Sequence, residues 1–184
     1  MTPEESATEQ KRLAEDKSLY PPFIVEGLKS LREQMRLEAR TGKPHQRCSK
    51  ITDFIQLICD IWIISNKEFQ ERFWVRQELP DVILDYFDQA TETFEEDAEI
   101  VLNAKDPPIE MTSKQREMLS HLLHLVEEYD GDPSTPLSRY GENDAPIVAD
   151  PRWDKIRQYA KIVYEEITGE SADHSSSKTN TPDL

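Results

Sequence analysis

Seven carboxylates recur along one stretch of the chain at intervals that put them on one side of a helix. They are Asp81, Asp85, Asp88, Glu92, Glu95, Glu96 and Glu99. At about 100° per residue they fall within about 100° of one another. No Lys or Arg occurs between Arg76 and Lys105 to neutralise them, although exposed helices usually mix both signs at i,i+4. This carboxylate stripe predicts a surface that recognises a positively charged partner.

A second group of side chains has types that bind metal ions. Glu117, His121, His124 and Glu128 are spaced 4, 3 and 4 residues apart, which puts them on one helix face. A single helix offers an ion two or three ligands at most, and the spacing matches neither the His-Glu-x-x-His nor the Glu-x-x-His motif. We therefore expect a solvent-facing surface here, with no metal and no other cofactor.

Signatures of enzymes are missing from the sequence. It has no Gly-rich phosphate loop, no Gly-x-Ser-x-Gly and no Cys-x-x-Cys, and it has five glycines in all. Cys48 and Cys59 are too far apart on a helix to form a disulfide and are expected to be reduced thiols. We expect no enzymatic activity and no catalytic residues.

The charge of the chain restricts the partners that it can bind. A formal charge of −15 and a pI near 4.7 argue against nucleic acid and anionic membranes, and favour a basic protein. The apolar run from Ile51 to Ile64 is too short to span a bilayer, and no secretion signal precedes it, so we expect a cytoplasmic protein. The stretch from Lys29 to Lys50 is basic, which permits a homodimer that joins basic and acidic helices.

The elements that position these residues are all predicted to be helices. The stripe belongs to a helix from Asp81 to Leu102, whose opposite face carries Phe87 and Phe94. Further helices are predicted at about 22–40, with Ile24, Leu28, Leu31 and Met35 on the apolar face, and at 49–64, 66–79, 113–131 and 151–168. The last three follow N-cap candidates, which are Ser65 in a capping box with Glu68, Thr112 in a capping box with Gln115, and Asp150. The fold class is all-α: a single-domain bundle of about six helices over residues 21–169, with a disordered or frayed segment at 1–20 and a disordered tail at 170–184.

Three residues outside the stripe are candidates for contact with a partner. Trp74 lies about 100° from Phe73 on a helix, so one of the two aromatic rings is expected at the surface, as an interface contact. Arg139 and Tyr140 lie in the Pro- and Gly-rich stretch from Asp130 to Asp150, which is predicted to be a long loop.

These observations favour a non-enzymatic acidic binding protein that engages a basic partner protein. Its most concrete form is an immunity protein or inhibitor that neutralises a nuclease-type toxin, an analogy that rests on charge and size. The alternatives are a helical adaptor that binds through apolar contacts and a metal-dependent helical-bundle enzyme. The stripe has two non-functional interpretations: a solvated helix face that keeps the protein soluble, and a surface neutralised internally by the basic helix at 22–40.

Overall fold

Every regular element in the described part of the chain is helical, as the spacing of the apolar residues predicts. The computed structural model describes residues 20–44, 48–78, 86–105, 109–136 and 144–173. The seven α-helices of these segments are α1 Pro22–Thr41, α2 Ile55–Ser65, α3 Lys67–Phe69, α4 Phe87–Asn103, α5 Ser113–Gly131, α6 Ala145–Val148 and α7 Pro151–Thr168. A 3₁₀ turn, Ile51–Asp53, precedes α2, and a π-helix, Gln70–Val75, follows α3.

Four of these helices form a bundle around one core. Helix α2 packs against α4 and α7, and α5 packs against the same two helices, so each member of the bundle has two neighbours. Helix α1 covers a further side of α2. This arrangement explains why α2 is apolar on nearly all sides, with every residue from Leu57 to Ile64 buried.

The bundle continues slightly further at both ends than its sequence predicts. The ring of Tyr20 lies 5.3 Å from that of Trp62, and the indole of Trp62 donates a hydrogen bond to the carbonyl of Ala172. Ala172 is itself buried, so the predicted end of the bundle at Gly169 is too early. Of the segments predicted to be disordered, 1–20 and 170–184, all but residue 20 and residues 170–173 lie outside the described residues.

Trp74 is buried, so the prediction that it is exposed at an interface is wrong. It is 2% exposed, and its ring lies 5.9 Å from that of Phe87 and 6.3 Å from that of Trp153. The prediction assumed α-helical geometry, whereas Gln70–Val75 forms the wider i→i+5 turn of a π-helix. Both rings are buried because the bundle covers this segment on two sides: Phe73 packs on Phe69, and Trp74 packs on Phe87 and Trp153.

Two of the three predicted helix caps are confirmed by the structure, and the third is wrong. Thr112 and Gln115 form the predicted reciprocal capping box at the start of α5. Asp150 accepts a hydrogen bond from the backbone N–H of Arg152 and begins α7 as predicted. The predicted cap at Ser65 is wrong, because the Asn66 side chain accepts the hydrogen bond from the N–H of Phe69 instead.

The predicted loop from Asp130 to Asp150 is only partly irregular. Helix α6 lies within it and buries Ile147 and Val148 against the bundle. The candidate contacts Arg139 and Tyr140 lie outside the described residues.

None of the helices in the described segments has both the length and the apolar character that a membrane crossing requires.

Candidate functional site: an acidic face on α4 and α5

The carboxylate stripe lies on the side of α4 that faces away from the core. Asp88, Glu92, Glu96 and Glu99 are exposed, and Glu95 is half-buried. The opposite face of the same helix buries Phe87, Ala90, Phe94, Ala98 and Val101. The two remaining members of the stripe, Asp81 and Asp85, lie outside the described residues.

Helix α5 extends this surface with two further carboxylates. Glu127 and Asp130 lie on the flank of α5 nearest to α4, close enough for their charges to act on Glu95. We define the acidic face by the described carboxylates of both helices, which are Asp88, Glu92, Glu95, Glu96, Glu99, Glu127 and Asp130. The two α5 residues were not predicted, because no feature of the sequence indicates that α5 packs beside α4.

No described Lys, Arg or His forms an ion pair with any member of the acidic face. Helix α1, whose basic residues were a possible internal counter-charge, packs on α2 instead. Its exposed Lys29, Arg32, Arg36 and Arg40 make no ion pair with a described residue. Among the described residues, internal neutralisation of the stripe by this helix is therefore wrong.

Glu95 carries the strongest electrostatic signal of the acidic face. Burial, reinforced by the charges of Asp130, Glu127, Glu99 and Glu92, raises the pKa of its carboxyl to about 7. Its Oε1 atom is buried and has no hydrogen-bond partner among the described residues. Burial, together with the charge of Asp88, also raises the pKa of Asp130. A positive charge placed beside these carboxylates, where α4 and α5 meet, would relieve the repulsion among them.

The titration of Glu95 predicts that stability falls as the pH rises. The pKa of Glu95 is about 7 in the folded protein against an ordinary value of 4.5, so the unfolded chain loses its proton first. The free energy of unfolding should therefore fall between about pH 4.5 and pH 7 and remain level above that range. Because Glu95 is partly exposed, we expect Glu95→Gln to stabilise the protein by about 1 kcal/mol at about pH 8 and by nearly nothing at about pH 4.

Urea denaturation at both pH values measures this effect, and Glu117→Gln, at an exposed position on α5, is the matched control. If Glu95→Gln changed the free energy of unfolding equally at both pH values, the ionisation of Glu95 would not be the cause of the lower stability at high pH.

The N-terminus of α4 is fixed by a residue from a distant part of the chain. The carboxylate of Asp144, directly before α6, accepts a hydrogen bond of 2.9 Å from the backbone N–H of Phe87. Asp144, at the start of α6, thus holds the first turn of the helix that carries the acidic face.

Removing this cap should destabilise the protein modestly. Asp144→Ala is expected to lower the free energy of unfolding by about 1 kcal/mol, whereas Asp144→Asn, which keeps the acceptor oxygen, should cost less. Chemical denaturation of the two variants in parallel measures the difference. Equal losses would assign the effect to the charge of Asp144 and not to its hydrogen bond.

A separate pair of carboxyl groups lies on the other flank of α4, against α2. Asp60 is buried and shares a hydrogen bond with Asp97, and burial raises the pKa of Asp97 despite that bond. A hydrogen bond between two carboxyl groups requires a proton on one of them. The sequence did not indicate this pair, because Asp60 interrupts an apolar run and Asp97 lies outside the stripe.

The histidines of the α5 face that was considered for a metal ion contact other side chains. The ring of His121 packs edge-on against Tyr159 at 5.0 Å, and His124 lies 3.2 Å from Glu128. Across the described segments, no three His, Cys, Asp or Glu side chains are placed to hold a metal ion. Cys48 and Cys59 form no disulfide, and burial raises the pKa of the Cys48 thiol.

An open pocket of about 390 Å³ lies between the segment before α2 and the start of α5. Lys50 and Glu110 are the charged residues in its lining, which also includes Ile51 and Met111.

The chain matches no protein family model, no curated protein and no solved structure.

Proposed function

We propose that this protein is a non-enzymatic binding protein that engages a basic partner protein through its acidic face. The observation that supports this proposal is the set of carboxylates on two adjacent helices that lack a cationic partner among the described residues. Grouping like charges in this way raises the free energy of the unbound protein. A bound cationic surface would recover that free energy.

The shape of the acidic face suits an extended cationic surface better than a single ion. From Asp88 to Glu99 the stripe follows α4 for about 16 Å, at a rise of about 1.5 Å per residue. Its carboxylates are attached to helices whose opposite faces are buried, so their positions are fixed before binding. Such an array attracts Lys and Arg side chains from a distance and discriminates against acidic proteins.

The most concrete partner is the cationic substrate groove of a nuclease-type toxin. A groove that binds nucleic acid presents Lys and Arg side chains to a row of phosphates. The carboxylates of α4 form a comparable row of negative charges, so the protein would act as an immunity protein or inhibitor that occupies the groove. This form of the proposal rests on charge and size.

Binding through this face would be coupled to proton release. A cationic partner next to Glu95 would lower the raised pKa of that carboxyl, so complex formation near neutral pH would release a proton. Affinity should then increase as the pH rises from about 6 to about 8.

One of the two apolar contacts on which the adaptor alternative depends is buried in the structure. It required apolar contacts through Trp74 and the loop from Asp130 to Asp150, and Trp74 is 2% exposed.

Affinity capture from the cells that make the protein tests the proposed function. Tagged protein is used as bait, the beads are washed at about 0.1 M and about 0.5 M salt, and bound proteins are identified by mass spectrometry. A strongly basic protein that is retained at low salt and depleted at high salt supports the proposal. A partner whose retention does not change with salt would contradict it.

A further inference from the structure

The C-terminal half of α1 carries a surface that the described part of the chain leaves uncovered. Ile24 is the one buried residue of this helix, and from Arg32 to Thr41 every residue is exposed except Glu38, which is half-buried. Met35, predicted to lie on the apolar face, is 58% exposed, and Leu37 is 55% exposed. The described part of the chain therefore leaves two large apolar side chains of this helix in solvent.

The same helix carries a basic stripe, which we define as Lys29, Arg32, Arg36 and Arg40. These four residues are spaced 3, 4 and 4 apart and fall within about 80° around the helix axis. All four are exposed, and within the described segments none has an ion-pair partner. Within the described segments, therefore, neither the basic stripe nor the acidic face forms an ion pair with a residue of opposite charge.

The spacing of the basic stripe matches that of carboxylates on α4 when α4 is read from its C-terminal end. Glu99, Glu96, Glu92 and Asp88 follow one another at intervals of 3, 4 and 4 residues, and they too fall within about 80°. Each row is about 16 Å long. An antiparallel pair of these helices places every cation of one row opposite a carboxylate of the other.

We propose that a second copy of this chain covers the basic stripe, with α1 of one copy lying antiparallel on α4 of the other. Lys29 then lies opposite Glu99, and Arg40 lies opposite Asp88. Apolar side chains flank both rows, with Met35 beside the basic stripe and Ile100, which is 56% exposed, beside the carboxylates.

In the dimer that we propose, a two-fold axis relates the two copies, so that the basic stripe and the acidic face of each copy are both used. Two chains that each carry a formal charge of −15 repel each other at long range, so the dimer is reversible and depends on protein concentration. The dimer uses the acidic face of the proposed function, yet it needs no foreign partner.

Sedimentation equilibrium of the full chain, at about 0.1 M salt and up to about 100 μM protein, tests the dimer. We expect the wild type to show a concentration-dependent dimer. The variant R32E/R36E and the variant E92K/E96K should each weaken association by at least about tenfold. An equimolar mixture of the two should recover it, because each altered surface then meets a complementary one.

The control variant K67E/K155E changes the net charge as much as R32E/R36E does, at two exposed positions on α3 and α7, outside the two paired helices. It should dimerise like the wild type. A wild type that stays monomeric at the highest concentration would overturn the proposal. So would a mixture of the two reversed variants that fails to associate while circular dichroism shows both folded.

The outcome of the sedimentation experiment can be distinguished from the outcome of affinity capture, which tests the proposed function. R32E/R36E leaves every residue of the acidic face unchanged, so this variant should still capture a basic partner protein. Loss of the dimer with retained capture supports both proposals, whereas a salt-insensitive dimer without capture contradicts both.

Discussion

Replacing Gln70 by alanine is expected to lower the free energy of unfolding by about 3 kcal/mol. Gln70 is fully buried. Its amide nitrogen donates hydrogen bonds of 2.9 and 2.7 Å to the carbonyls of Ile63 and Ile64, near the C-terminal end of α2. Its amide oxygen accepts from the indole of Trp153 at 3.1 Å and from the guanidinium of Arg157 at 2.9 Å. The substitution leaves all four groups without this partner.

The cost is large because Arg157 is 3% exposed and cannot turn to water for a new acceptor. Urea denaturation followed by circular dichroism measures the loss, with Gln56→Ala, at an exposed position of α2, as the matched control. A loss below about 1 kcal/mol would mean that the hydrogen bonds of Gln70 do not hold α2 and α7 together.

Reversing three exposed charges of α4 should remove most of the affinity for a basic partner. The variant E92K/E96K/E99K replaces attraction by repulsion along the stripe, and we expect at least a tenfold loss, about 1.4 kcal/mol or more. All three side chains are exposed, so the core of the bundle should remain intact. Calorimetric titration with the captured partner measures the change.

The control for this variant places the same charge change elsewhere. E26K/E68K/E117K alters three exposed glutamates on other helices or on another face of the bundle. If affinity depends on the acidic face and not on net charge, this control should lose much less affinity. Equal losses in both variants would mean that total charge attracts the partner and that no particular face binds it.

Local features of the sequence predicted much of the fold. The separation of α4 into an apolar face with Phe87 and Phe94 and an acidic face follows from spacing alone, because side chains three and four residues apart share a face. The caps at Thr112 and Asp150 were predicted for a similar reason, since each needs one side chain at a fixed offset from the backbone N–H that it caps.

What the sequence could not predict depends on contacts between distant segments. Trp74 was misplaced because the rings that cover it, Phe87 of α4 and Trp153 of α7, are distant in the sequence. Glu127 and Asp130 join the acidic face only because α5 lies beside α4 in the bundle. The half of the site on α4 could therefore be predicted from the sequence, and the half on α5 could not.

Zero-length carbodiimide cross-linking of the complex with the captured partner tests the central claim most directly. The reagent activates a carboxyl group, which then forms an amide with a lysine amine in direct contact with it, and mass spectrometry identifies the joined residues. We predict cross-links from lysines of the partner to Glu92, Glu96, Glu99 or Glu127. Cross-links confined to carboxylates elsewhere, such as Glu26, Glu68 or Glu166, would contradict the assignment of the acidic face as the binding surface.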